Sequence, residues 1–210
     1  VKGTAVLDLE RSRMKDKQDF PWLTDDSIDW KSWSHIKNPD YKSTNRLIDF
    51  LVDVVSKNGA VLLNITPKAN GEIPEPVKDR LLEMGQWLKT NGEAIYGTRT
   101  FKIYGEGDAE VNEGHLSEKA NADNTANDIR FTTKGDTLYA IVLDWPSTGK
   151  LVVKSLKKGN DLYTDEIASV QLLGYEESLT FAIDNDGLKI NLPSKKVGEH
   201  AFAFKINPKK

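Results

Sequence analysis

Asn58-Gly59-Ala60-Val61-Leu62-Leu63-Asn64-Ile65-Thr66-Pro67 is the stretch that decides the fold. Asn-Gly supplies a left-handed exit from a helix, and the run after it is apolar at consecutive positions until proline stops it. A strand apolar on both faces belongs in a parallel sheet covered by helices. Downstream, Pro76 suits the first turn of a helix whose stripe is Val77, Leu81, Met84 and Leu88, ending near Asn91-Gly92. Upstream, a Ser/Thr cap near Thr44 precedes Leu47, Ile48, Leu51, Val54 and Val55 at helical spacing. Farther upstream, Thr4 to Glu10 reads as a strand, with Val6, Asp8 and Glu10 on one face and Leu7 and Leu9 on the other. Residues 11–43 hold no sustained period and contain Pro21 and Pro39, so the expectation is a loop. A loop longer than roughly 12–15 residues in a compact domain is usually a lid or a binding surface.

Two strand-then-helix units in succession imply a parallel sheet with right-handed crossovers, whose chemistry gathers at the C-terminal ends of the strands. Glu10 and Asn64 fall there. Two strands cannot close a barrel and would leave unpaired edges, so most of the barrel is expected to lie outside this chain. The expected fold is therefore α/β plus all-β: the last two βα units of an incomplete (β/α)8-like barrel (residues 1–99), followed by an antiparallel β-sandwich (residues 100–210). The second part is read from short alternating runs at Ile129 to Thr133, Leu138 to Leu143, Leu151 to Val153, Val170 to Leu172, Leu179 to Ile183, Leu188 to Leu192 and Phe202 to Ile206. Turn signals such as Lys134-Gly135-Asp136 and Asn185-Asp186-Gly187 separate them. Glu106 to Asn127, rich in small and polar residues, is expected to be an exposed loop or junction.

The 210 residues carry a net charge of -3 and no cysteine. That balance offers no basic surface for phosphates, so nucleic acid is not an expected partner, and disulfides and thiolate chemistry are excluded. The apolar runs fall far short of the roughly 20 residues of a membrane span, so no membrane partner is expected. His35, His115 and His200 are too scattered for a metal signature, and Asp184 to Gly187 reads as a hairpin turn rather than a calcium loop. No cofactor or metal is implied.

Glu10 is the leading catalytic candidate. Chemistry by paired carboxylates needs a proton donor on one side of the reacting carbon and a second carboxylate across from it. Asp8, one pleat deeper on the same strand, cannot face Glu10 across a bound ligand. The plainer reading of Glu10 is a strand-end carboxylate paired with a neighbouring cation. Trp22, Trp30 and Trp33 form an unusual concentration in a loop; Trp22 and Trp30 serve either to anchor that loop or to contact a ligand.

Taken together, these motifs resemble the α-L-fucosidases of glycoside hydrolase family 29. The resemblance covers Glu10, then Trp22, Thr24, Ser27 and Ile28, then Trp33; the Leu62-Leu63-Asn64 block through Thr98; and Asp128 to Leu143 with Trp145-Pro146. It implies a retaining enzyme in which Glu10 is the general acid/base and Trp33, together with Trp22, contacts the sugar. The nucleophilic aspartate and the histidines that hold fucose match nothing here, so they are expected outside the chain. The implied partners are a fucosylated oligosaccharide or glycoconjugate and the missing N-terminal barrel segment; a secreted, periplasmic or lysosomal location is the family's habit. The competing reading is a non-catalytic carbohydrate-binding or structural β-sandwich module.

Overall fold

The structure is a computed structural model that describes residues 5–209. β1 (Leu7–Glu10), β2 (Trp22–Ser27) and β3 (Gly59–Asn64) form a parallel sheet in the order β1-β2-β3. Thr4, where the first strand is expected to begin, lies outside the described residues. Register sets Glu10 level with Asp25 and Asp25 level with Leu62.

β2 corrects the expectation of an uninterrupted loop over residues 11–43. Its sequence, Trp-Leu-Thr-Asp-Asp-Ser, carries polar residues at buried positions, which hides it from hydrophobic periodicity. Each has a hydrogen-bond partner outside the strand. The Thr24 hydroxyl lies within hydrogen-bond distance of the carbonyls of Leu9 (2.9 Å) and Ser12 (2.6 Å), Asp26 accepts from the buried Lys42 ammonium, and Ser27 Oγ donates to the Ser32 carbonyl at 2.8 Å.

α1 (Thr44–Ser56) starts where the sequence signals it, with the Ser43 hydroxyl accepting from the Arg46 backbone N–H at 3.1 Å. It ends through Asn58 at φ 70°. Gly59 is required by packing and not by its backbone: a Cβ there would come within 2.6 Å of both the Trp22 ring and the Val54 side chain. α2 (Glu75–Asn91) carries Pro76 in its first turn, as expected.

Eight further strands follow: β4 (Arg99–Glu106), β5 (Ile129–Lys134), β6 (Thr137–Val142), β7 (Lys150–Val153), β8 (Ile167–Leu172), β9 (Phe181–Ile183), β10 (Leu188–Asn191) and β11 (Phe202–Pro208). They make two antiparallel sheets, β4-β5-β6-β11-β8 and β7-β10-β9. β4 is absent from the sequence reading because its pairing with β5 shifts register between Thr100 and Gly105, which interrupts the alternation. Period 2 then explains the layers. Leu138, Ala140 and Val142 of β6 pack with Leu151, Val153, Leu188 and Ile190 of the small sheet. Tyr139, Ile141 and Leu143 alternate with them, packing with Ile48 and Val52 of α1 and Trp87 of α2. The large sheet is thus covered on both faces, each fully buried large apolar side chain contributing about 1.5–3 kcal/mol.

An ion network joins the parallel sheet's helix to the large antiparallel sheet. The Asp53 carboxylate of α1, fully buried, accepts from Arg130 Nε of β5 at 2.5 Å and Lys57 Nζ at 2.7 Å, with Arg13 Nη1 3.3 Å away. Arg13 in turn meets Glu118 at 3.2 Å, and Glu118 meets Arg46 at 2.8 Å. Burial alone would raise the Asp53 pKa, but these cations hold it well below the usual carboxylate range.

Asp49, one turn earlier on α1, is the contrast. Burial pushes its carboxyl up to about 7, because Asn45 and Asn124 satisfy only Oδ2 while Oδ1 has no hydrogen-bond partner. The unfolded carboxyl ionises near its ordinary pKa of roughly 4. Between that value and about 7 the folded chain keeps a proton that the unfolded chain releases, so this residue's contribution to stability falls as pH rises through the window. Asp49→Asn, neutral throughout, should remove that slope and gain on the order of 3 kcal/mol over the parent between pH 4.5 and 7.5. Urea unfolding of both proteins at the two pH values measures it; parallel pH dependences would contradict the assignment.

Candidate active site

The three parallel strands end together, and their last residues converge. Glu10 terminates β1, Ser27 terminates β2 and Asn64 terminates β3. The loop after β2 folds back over this edge and delivers Trp33. Its indole N–H donates to Glu10 Oε1 at 3.1 Å, and its backbone carbonyl accepts from Asn64 Nδ2 at 2.5 Å. The Arg11 guanidinium lies 4.4 Å from the ring centroid, a cation–π distance. Arg11 is itself fixed, donating to the carbonyls of Trp30 at 2.8 Å and Asp29 at 3.2 Å. Trp33 is thereby tied down at its edge, its backbone and one face. The Glu10 side chain stays 42% exposed, so a solute can reach its carboxylate.

Glu10 Oε2 faces a residue that sequence reasoning left as a scattered histidine. His115 Nε2 lies 3.7 Å from it, on the segment between β4 and β5. That segment, expected to be an exposed loop or junction, is mostly exposed yet tied to the parallel sheet. The Leu116 N–H donates to the Glu10 carbonyl at 3.1 Å and the Glu118 N–H to the Arg11 carbonyl at 2.9 Å, while the Glu118 side chain is buried in the ion network. No sequence signal marks a contact across a hundred residues, and Glu118 is one of several acids in this segment.

Trp22 requires a correction. It does not line an open surface but sits 1% exposed in a core cluster with Phe50 and Val54, its indole N–H donating to the Lys57 carbonyl at 2.9 Å. Even spacing explains this: Trp22, Thr24 and Asp26 share the helix-covered face of β2, whereas Asp25 shares the open face with Glu10. Trp30 is half-buried, with the Lys42 ammonium 4.5 Å from its ring centroid, and His35 is exposed. Asn64 does two jobs, holding Trp33 as described and accepting from the Thr66 N–H at 3.4 Å in the following turn.

Asp8 and Asp25 share the sheet face of Glu10. Burial, then proximity to Asp8 and Glu10, raises the Asp25 pKa. All three stand on one sheet face, so none opposes Glu10 across a bound ring. Among the described residues no group of three or more His, Cys, Asp or Glu is arranged to hold a metal ion. What the geometry offers is one accessible carboxylate, one aromatic ring fixed beside it, and hydrogen-bonding groups around both.

Two family patterns account for most of the chain. The pattern described as alpha-L-fucosidase matches residues 2–93, and that described as alpha-L-fucosidase C-terminal domain matches residues 121–207. Human tissue alpha-L-fucosidase is 32% identical over 196 residues, covering 90% of this chain and 37% of its own length. An alpha-L-fucosidase of Branchiostoma floridae is 30% identical over 84% of this chain and 35% of its own. The crystal structure of Thermotoga maritima alpha-fucosidase in complex with fucose superposes with a TM-score of 0.72 at 28% identity, over 92% of this chain and 41% of that one. The chain belongs to the α-L-fucosidase family. It spans a little over a third of the length of the curated relatives it matches.

Proposed function

We propose that this chain is the C-terminal part of a retaining α-L-fucosidase and that Glu10 is its general acid/base. The observation that carries the reading is the accessible Glu10 carboxylate at the carboxyl edge of a parallel sheet, with the Trp33 indole fixed on one of its oxygens. Residues 1–99 would then be the last part of a (β/α)8-like barrel and residues 100–210 its β-sandwich companion. The sheet supports this: β1 and β3 are edge strands, and Leu62 on the face shared with Glu10 is 58% exposed, as a strand awaiting barrel neighbours would be. β2 makes the barrel contribution three strands.

In this mechanism an aspartate from the remaining length attacks the anomeric carbon of a fucoside as protonated Glu10 gives its proton to the departing oxygen. The fucosyl-enzyme is then hydrolysed by a water that ionised Glu10 deprotonates. Trp33 would present its free ring face to the apolar side of the fucose and hold Glu10 in place through its indole N–H. Substrates would be terminal α-L-fucosides of glycans. The relative from Thermotoga maritima was crystallised with fucose, which supports that choice.

Because the nucleophile is not among these residues, the isolated 210-residue chain should release no nitrophenol from 4-nitrophenyl α-L-fucoside, while the full-length enzyme should. Turnover by the isolated chain would overturn the division of labour.

A further inference from the structure

We infer that the segment around Glu113, Gly114 and His115 forms the wall of the leaving-group subsite, with His115 hydrogen-bonding a hydroxyl of the sugar from which fucose is cut. The inference rests on Glu10 being the acid/base, as proposed above. Trp33 engages Oε1 of Glu10, which leaves Oε2 as the oxygen that delivers the proton. The proton goes to the glycosidic oxygen, and the other substituent on that oxygen is the leaving sugar. Any side chain just beyond Oε2 therefore meets the leaving sugar rather than fucose.

His115 is that side chain. Its Nε2 is 3.7 Å from Oε2, too far for a closed hydrogen bond, and its ring is 68% exposed with no hydrogen bond to other described residues. A cavity of about 310 Å³ opens beside the two, its lining including Glu10, Met14, Glu113, Gly114 and His115. That volume is at the small end for a ligand site and suits a single sugar ring.

The segment is built to hold this position. Gly114 (φ 114°) and Leu116 (φ 60°) bracket His115 in left-handed conformations, and leucine adopts such a backbone only where its surroundings enforce it. The enforcement is visible: the Leu116 N–H on the Glu10 carbonyl, the Ser12 and Ser117 hydroxyls 3.1 Å apart, the Lys15 N–H on Glu113 Oε1 at 2.8 Å, and the Glu118 side chain locked to Arg13 and Arg46. His115 is a pre-placed polar group with an unused hydrogen-bonding ring.

The test compares two substrates in the full-length enzyme. With 2′-fucosyllactose, whose leaving group is a sugar, His115→Ala should lower kcat/KM ~10-fold, the effect of one substrate hydrogen bond, and His115→Gln should recover part of it. With 4-nitrophenyl α-L-fucoside, whose leaving group has no hydroxyls to hold, both variants should stay within ~2-fold of the parent. Equal losses on both substrates would overturn the inference, since His115 would then act on Glu10 or on folding; no loss on either would overturn it too. Failure of the underlying reading looks different: a parent enzyme inactive on both substrates, or turnover indifferent to Glu10→Gln, would overturn both.

Discussion

Replacing Glu10 with Gln in the full-length enzyme should lower kcat/KM for 2′-fucosyllactose by ~10³-fold while leaving kcat/KM for an activated aryl fucoside within ~10-fold of the parent. The glutamine keeps the shape and can still accept from the Trp33 indole through its carbonyl oxygen, but it carries no proton to give. A sugar leaving group departs as a poor alkoxide unless protonated, so the first step collapses; an acidic phenol leaves without help. The second step suffers for both substrates because no base activates water. With the aryl fucoside kcat should therefore fall, KM should fall with it, and a burst of phenol should precede slow turnover as fucosyl-enzyme accumulates. Stopped-flow and steady-state assays separate these. Equal losses in kcat/KM on both substrates would reduce Glu10 to a structural carboxylate.

The second large effect is on stability. Asp53→Asn should destabilise the chain by about 3–5 kcal/mol, because Arg130, Lys57 and Arg13 would lose the carboxylate that offsets their burial. For a chain of this size that corresponds to a melting temperature lower by roughly 10 °C. pH gives the assignment a signature. A carboxyl whose folded pKa is depressed stabilises fully above its unfolded pKa of roughly 4 and progressively less as pH falls toward the folded value. The gap between parent and variant should thus be constant from pH 5 to 7 and narrow below about 4. Calorimetry across that range measures it; a gap of under 1 kcal/mol at pH 7 would mean the network is not a determinant of stability.

What the sequence discloses and what it hides divide along physical lines. α1, α2, β3 and most of the antiparallel strands announce themselves because one period of apolar residues fits each, and because Ser43, Asn58 and Pro76 are the residue types that helix ends require. β2 is hidden because its buried Thr24, Asp26 and Ser27 are polar, with Thr24 and Asp26 partnered at Ser12 and Lys42, 12 and 16 residues away, and Ser27 by the Ser32 carbonyl in the following loop. The site divides the same way. Glu10 and Trp33 can be picked out by strand position and by resemblance, and the structure brings them within 3.1 Å of each other. Trp22 satisfies the same resemblance yet lies on the covered face of β2, a distinction that depends on register alone. Arg11 and His115 reach the site through long-range geometry: one backbone turn at φ 45° after β1, and one segment carried across from beyond β4.

The central claim, that Glu10 is the acid/base and not the nucleophile, is tested most directly by azide rescue of a Glu10→Ala variant of the full-length enzyme, with 4-nitrophenyl α-L-fucoside as donor. Azide needs no general base and fits where the carboxyl group was removed. Attacking the accumulated fucosyl-enzyme, it forms a C1–N bond as the bond to the enzyme's aspartate breaks, so two inversions give α-L-fucosyl azide. Restored turnover with the α-azide, identified by NMR, is the result predicted here. β-L-Fucosyl azide would mean that Glu10 is the nucleophile, and absence of any rescue would mean that it is not part of the reaction.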